Sequence, residues 1–251
     1  MGAFREAVYQ TSLNVGARLV RGIERVITWG SLVGNPAFFD PGQFNWVPAV
    51  EAQWKTIRRE LDGVMQYWDT LPNFQDISTD QRTITDDDRW KTFFLYAYGL
   101  KAEGNCGRCP ETTRLVESVP GMKTAFFSIL APGKHIPAHR GPFKGVIRYH
   151  LGLLVPEPAE RCRIRVGTEI RHWREGKSLV FDDTYEHEVW NETAGRRAVL
   201  FLDVVRPLRF PASTFNDLIL ALIKRSPFVQ DGVQNYKAWE EKLERRTRVA
   251  S

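Results

Sequence analysis

The chain is poor in the residues that would make several functions easy to assign. It has three cysteines, Cys106, Cys109 and Cys162. An odd, low count supplies no disulfide framework and fits a reducing compartment. Cys106-Gly-Arg-Cys109 is a lone C-x-x-C. Tetrahedral zinc would need two more ligands at suitable spacing, and no second pair exists. A thioredoxin-like use would need a strand before the motif and a helix opening at it. Pro110-Glu-Thr-Thr does read as a helix start, so redox chemistry stands open beside the plainer reading of structural cysteines. No apolar run approaches the roughly 20 residues of a transmembrane helix. The N-terminus shows no secretory apolar core followed by small residues. The expected location is the cytoplasm, with the inner face of the membrane as the alternative. Repeats and low-complexity linkers are absent.

What is present is an ordinary globular composition. Of 251 residues, 43% are hydrophobic and 26% charged, enough for a sizeable core. The net charge of +5 suits an anionic substrate, a phospholipid surface or a nucleic acid without distinguishing them. The basic residues gather in no long run, so no nucleic-acid partner is expected.

The periodicity changes along the chain. Over residues 1–30, Val15, Leu19, Val20, Ile23, Val26 and Ile27 recur near helical spacing, with Arg18, Arg21, Glu24 and Arg25 between them. Such a basic amphipathic helix either packs on the domain or lies on a membrane surface. Residues 31–47 read as loop and 48–66 as a second helix, with Val50, Trp54, Ile57, Leu61 and Met65 on one side. Residues 67–87 are turn-rich. From residue 89 the texture becomes strands, at 90–98, 123–130, 145–155, 162–166, 169–173, 178–181, 186–190 and 197–205, with a short helix at 110–118. Residues 212–224 and 232–246 return to helical spacing. The expected plan is mainly β with flanking helices: a helical region over 1–88, a barrel or double-sheet jelly roll over 89–211, and C-terminal helices over 212–251.

Five histidines are present, at 135, 139, 150, 172 and 187. Pro137 between His135 and His139 disfavours a regular helix there, so this does not read as a helical zinc motif. His139 then reads as a ligand on a loop or strand end, and His135 as a surface residue. In Gly145-Val-Ile-Arg-Tyr-His-Leu, strand alternation puts Arg148 and His150 on one face and Ile147, Tyr149 and Leu151 on the other. That polar face is either an exposed sheet face or the lining of an anion pocket, where arginine would pair with a carboxylate. In Phe181-Asp-Asp-Thr-Tyr-Glu-His187, the acids either orient His187 and a metal-bound water or form a charged turn. Arg197 opens an otherwise apolar strand. Facing the core it would need an anion, and in a turn after Gly195 it would need none.

Together these segments resemble the aspartyl/asparaginyl β-hydroxylase family. The likeness runs from Trp90 to Pro207: Ser128 in a strand, H-x-G at 139–141, R-Y-H-L-G-L at 148–153, F-D-D-x-x-x-H at 181–187, and Arg197 ten residues on. The resemblance implies a double-stranded β-helix fold, cupin-like in its jelly-roll core. It also implies Fe(II), with 2-oxoglutarate and O2 as cosubstrates, and hydroxylation of an unactivated C–H. By position, His139 and His187 look like the iron ligands. Ser128 and Arg197 would bind the distal carboxylate of 2-oxoglutarate, Arg148 and His150 would hold it near the metal, and Asp183 would bond to metal-bound water. Gly141 stands where most relatives of this family place a third, carboxylate ligand, an absence the family shares. His172 matches no functional position.

The substrate implied is a peptide, an amino acid or a small molecule. The alternative is a lipid acyl chain, as in the lipid A hydroxylases of the same family, with membrane contact through residues 1–30. The segments around Arg89–Tyr96 and Asp203–Phe210 look closer to those lipid enzymes, and Glu186–Trp190 to the peptide enzymes. A non-catalytic ligand-binding barrel is the reading outside enzymology.

Overall fold

The computed structural model describes residues 22–249. The first 21 residues of the expected N-terminal helix therefore lie outside the described residues, and residues 22–30 are helical, here α1. Then follow β1 (Phe38–Phe39), α2 (Val47–Ala52), α3 (Trp54–Met65), α4 (Phe74–Ile77), β2 (Trp90–Ala97), β3 (Leu100–Lys101), α5 (Glu103–Arg108) and α6 (Pro110–Glu117). The core continues with β4 (Met122–Leu130), β5 (His135–His139), β6 (Val146–Leu154), β7 (Cys162–Val166), β8 (Glu169–His172), β9 (Ser178–Phe181), β10 (His187–Asn191) and β11 (Arg197–Val205). Two helices close the chain, α7 (Ala212–Arg225) and α8 (Pro227–Val249).

The strands form two antiparallel sheets, a seven-stranded one ordered β1-β9-β6-β11-β4-β2-β3 and a four-stranded one ordered β5-β10-β7-β8. Alternation along the strands divides the large sheet into two chemically different faces. One face carries Phe127, Ile129, Ile147, Tyr149, Leu151, Leu200 and Leu202, packed with Ile57, Leu61 and Val64 of α3 and Leu115 and Val116 of α6. Those α3 residues fall at i, i+4 and i+7, the spacing of a helix that buries one stripe. The Glu60 carboxylate accepts the backbone N–H groups of Glu111 (2.9 Å) and Thr112 (2.8 Å), so α3 also caps the start of α6.

The other face looks into the space between the sheets. Phe94, Phe126, Phe181, Val199 and Phe201 of the large sheet pack there with Ile136, Ile164, Val166 and Val189 of the small one. This is a jelly roll of mainly antiparallel β structure with flanking helices. Among the details that differ from the sequence expectation, three bear on the core. The helix read over 48–66 is two helices meeting at Gln53. Phe38 and Phe39, read as loop, pair with Phe181 and Val180 and extend the large sheet. His135–His139, read as loop or strand end, is an edge strand. Edge position tolerates Pro137, whose missing N–H costs nothing on the open side.

Candidate active site

The polar residues of the candidate site lie on the inward faces of both sheets. Register explains why. In the large sheet Arg197 pairs with Leu130, Val199 with both Ser128 and Gly152, Phe201 with His150, and Asp203 with Arg148. Directly paired residues share a face, so Ser128, Arg148, His150, Arg197 and Asp203 all turn inward. In the small sheet His187 pairs with His139 on one side and Val166 on the other. The two imidazoles are neighbours across strands, with ring centroids 4.0 Å apart.

Both rings are prepared in the same way. His139 Nδ1 donates to the carbonyl of Pro137 (2.8 Å), and His187 Nδ1 donates to that of Tyr185 (3.0 Å). A carbonyl only accepts, so the proton sits on Nδ1 and the Nε2 lone pair is left as a ligand. Burial pushes His187 down to about 3, with His139 and Arg148 adding to the effect, and burial also lowers His139. Both are neutral near pH 7, the state in which imidazole binds metal.

Gly141 follows the first of them. A Cβ at that residue would lie 2.0 Å from Asp183 Oδ2, and the Gly141 N–H donates to the Asp183 carbonyl (2.8 Å). The space a side chain would need holds the Asp183 carboxylate. Asp183 is buried, 2.9 Å from Arg148 Nη2, with Oδ1 lacking a hydrogen-bond partner. Burial pushes its pKa up to about 6, against the opposing charge of Arg148. Among the described residues no three His, Cys, Asp or Glu side chains come together as a metal cluster.

Arg197 is the most unusual group. It is 2% exposed, and its Nε and Nη1 have no hydrogen-bond partner. Its guanidinium lies over the Trp173 ring, 4.4 Å from the centroid. Burial lowers its pKa to about 10, partly offset by Cys162, and no carboxylate contributes. A desolvated guanidinium without a counter-ion is costly unless an anion completes it. Beside it in the register, Ser128 accepts a hydrogen bond from Trp90 Nε1 (3.0 Å). His150 is buried with neither ring nitrogen partnered, between Phe181 and Phe201 at 5.0 Å each. Burial, then Arg197, holds its pKa well below the usual imidazole value.

The structure thus brings Ser128, His139, Arg148, His150, Asp183, His187 and Arg197 to one interior. It leaves His135 outside, bonded to Glu188 (2.7 Å) and stacked on Trp190, and His172 exposed on β8. Asp203, Trp173 and Trp90 were not singled out from sequence. The signal for Asp203 was an acid inside the apolar run of β11, but its partner, Arg148 at 3.2 Å, depends on register. Cys106 and Cys109 are buried free thiols. Burial raises both, Cys109 to about 12, which disfavours the reactive thiolate.

Comparison with known proteins gives the family of the chain. The family model for aspartyl/asparaginyl beta-hydroxylase matches residues 51–207. An ornithine lipid ester-linked acyl 2-hydroxylase of Rhizobium tropici is 50% identical over 211 residues, 84% of this chain and 75% of its own. The human aspartyl/asparaginyl beta-hydroxylase is 34% identical over 173 residues, 67% of this chain, which spans only 22% of the human protein. Among solved structures, a cupin 2 conserved barrel domain protein of Salinispora arenicola aligns over 56% of this chain and 92% of that one, at 10% identity and a TM-score of 0.32. On the match across 51–207, which contains every residue of the site, this chain belongs to the aspartyl/asparaginyl beta-hydroxylase family of hydroxylases.

Proposed function

We propose that the chain is an iron(II)- and 2-oxoglutarate-dependent hydroxylase whose substrate is the acyl chain of an amino-acid-containing lipid. The observation that carries the cosubstrate is Arg197. A buried guanidinium with two unpartnered nitrogens, on the inward face that also carries Arg148 and His150, fits a dicarboxylate end-on. The residues also fit the metal: two adjacent imidazoles, neutral and with Nε2 free, form a nitrogen donor pair suited to iron. When bound, iron with the oxoacid and dioxygen supplies the oxidation of an unactivated C–H.

The protein's own residues do the positioning. His139 and His187 would hold iron from the adjacent paired strands β5 and β10. Arg197 would take the distal carboxylate of 2-oxoglutarate, and the Ser128 hydroxyl would donate to it. Arg148, fixed between Asp183 and Asp203, and His150 would steer the other end toward the metal. Asp183 Oδ1 would accept a hydrogen bond from a water at the metal.

A lipid acyl chain stands ahead of a peptide, amino-acid or small-molecule substrate on two grounds. One is the 50% identity to a lipid acyl hydroxylase over most of the chain. The other is a cavity of about 370 Å³ beside the site, within the range of about 300–1,000 Å³ for small-molecule pockets. Arg148 and Asp203 are part of its lining, Phe74, Ile77, Phe94, Phe126 and Val229 give it apolar walls, and Lys101, Glu103, Lys237 and Glu240 add charge. The apolar part of that lining suits a hydrocarbon chain.

The test is succinate formation from 2-oxoglutarate in air, with Fe(II) loaded anaerobically, in the wild type and in His187→Ala. Ornithine lipid or an aspartate-containing peptide is added in turn, and the saponified lipid is examined for hydroxylated fatty acid by mass spectrometry. Turnover lost in the variant and stimulated by lipid supports the proposal. Stimulation by the peptide alone moves the substrate to the peptide class. Failure to bind 2-oxoglutarate at all leaves the non-catalytic barrel.

A further inference from the structure

An apolar surface, separate from the active site, is built where two distant segments of the chain meet. Helix α7 buries Ala212, Asn216 and Leu220. On its outward side Phe215, Leu218 and Leu222 recur at i, i+3 and i+7, and Leu218 is 60% exposed. At the start of this helix α1 packs so closely that a Cβ on Gly30 would lie 2.3 Å from that of Ala212. Arg209 N–H donates to the Gly30 carbonyl (2.9 Å), and its guanidinium lies over the Trp29 ring, 5.4 Å from the centroid. Leu32 (62%) and Phe210 (79%) stand out beside this joint. Exposed apolar side chains in such number, on adjoining elements, mark an interaction surface.

The chemistry of the rim selects the partner. Across residues 22–32 and 208–225 the charged residues are Arg25, Arg209, Lys224 and Arg225 against Glu24 and Asp217. The preceding 21 residues, which lead directly into α1, carry Arg5, Arg18 and Arg21 against Glu6, interleaved with Val15, Leu19 and Val20. Aromatic side chains on an apolar surface, in segments with an excess of positive charge, match an anionic bilayer surface. A second copy of the chain would set like-charged rims against each other. We propose that the α1–α7 surface, through Trp29, Leu32, Phe210, Phe215, Leu218 and Leu222, docks the protein on an anionic lipid bilayer. Docking there also bears on the cavity: Lys224 at the end of α7 lies over Gly99, 3.7 Å from where a Cβ would be, and the next two residues, Leu100 and Lys101, line the cavity. The lipid surface would then lie close to that cavity.

The proposal rests on this surface and the charge of the sequence around it, and stands whether or not a lipid is the substrate. Its test is co-sedimentation of the full chain with vesicles of phosphatidylcholine, with and without phosphatidylglycerol, comparing wild type with Leu218→Glu/Leu222→Glu and with Trp29→Ala. Circular dichroism melts and 2-oxoglutarate binding report that the variants fold. The expected result is binding to the anionic vesicles that weakens with salt, falls about tenfold or more in the double variant, and falls less in Trp29→Ala. Absence of wild-type binding overturns the proposal. So does equal binding by the double variant, which would assign the contact to residues 1–21. A wild-type dimer by sedimentation velocity that becomes monomeric in the double variant, with vesicle binding unchanged, overturns it in favour of self-association.

Discussion

The carboxylate of Asp183 fills the space that a side chain on Gly141 would occupy, with Oδ2 2.0 Å from the position of an added Cβ. The missing carboxylate two residues after His139 is therefore enforced by a second carboxylate arriving from the loop after β9. Gly141→Ala should destabilise the fold by about 1–3 kcal/mol, the range for overpacking. In an Asp183→Ala background, which removes the Cγ that would lie 2.2 Å from the added Cβ as well as both oxygens, that penalty should largely vanish. A double-mutant cycle by chemical denaturation measures the coupling, and additive effects would mean that the two residues do not compete for space.

Arg197 predicts a separation of stability from binding. Replacing it by Met removes a buried charge with no counter-ion, so the melting temperature should hold or rise. Affinity for 2-oxoglutarate should fall by about a hundredfold or more, as when one partner of a buried charge pair is truncated. Calorimetry of the wild type and Arg197→Met checks this, and unchanged 2-oxoglutarate affinity in the variant would remove the cosubstrate assignment.

The paired imidazoles predict a metal response confined to two of the five histidines. Anaerobic Fe(II) at about 100 times its Kd should stabilise the wild type by about 2.7 kcal/mol, seen as a rise in melting temperature. His139→Ala and His187→Ala should lose that rise. His135→Ala and His172→Ala should keep it, since His135 is bonded outward to Glu188 and His172 is exposed.

Asp182 predicts part of the acid limb of stability. It is fully buried, 2.6 Å from both Arg206 Nη2 and Lys144 Nζ. Burial alone would raise its pKa, but Arg206 and Lys144 outweigh it and the net shift is downward. A carboxylate depressed in the folded state adds stability that is fully present above its unfolded pKa and is lost as pH falls through the folded value. Asp182→Asn should cost about 3–5 kcal/mol at pH 7, because the fully buried Arg206 is left uncompensated. The loss should shrink below about pH 4. Urea melts across pH 3–8 would show a constant difference if the ion pairs contribute nothing.

Much of the fold could be read directly. Strand limits at 162–166, 178–181 and 197–205 match the structure, because alternation with apolar or β-branched residues is a local signal. The opposed faces of Arg148/His150 and Tyr149/Leu151 follow from the same alternation. Signals that needed a partner strand were not legible. Phe38–Phe39 is too short to show a period, and His135–His139 becomes a strand only through pairing with β10. Helix α8 starts at Pro227, five residues before the helical spacing became clear, where Asp231 and Gly232 interrupt the apolar pattern.

The sequence by itself determined which residue types are available and on which face of its own strand each lies. That is a property of backbone geometry over a few residues. The tertiary structure decided which way each face points. It decided that the Arg148/His150 face turns between the sheets and not to solvent, a choice sequence left open. It set His139 against His187 across 48 positions of chain, put the Asp183 carboxylate into the space beside Gly141, and closed Trp173 over Arg197. Each of these depends on strand register and sheet packing, which join residues far apart in the chain and have no local periodicity to announce them.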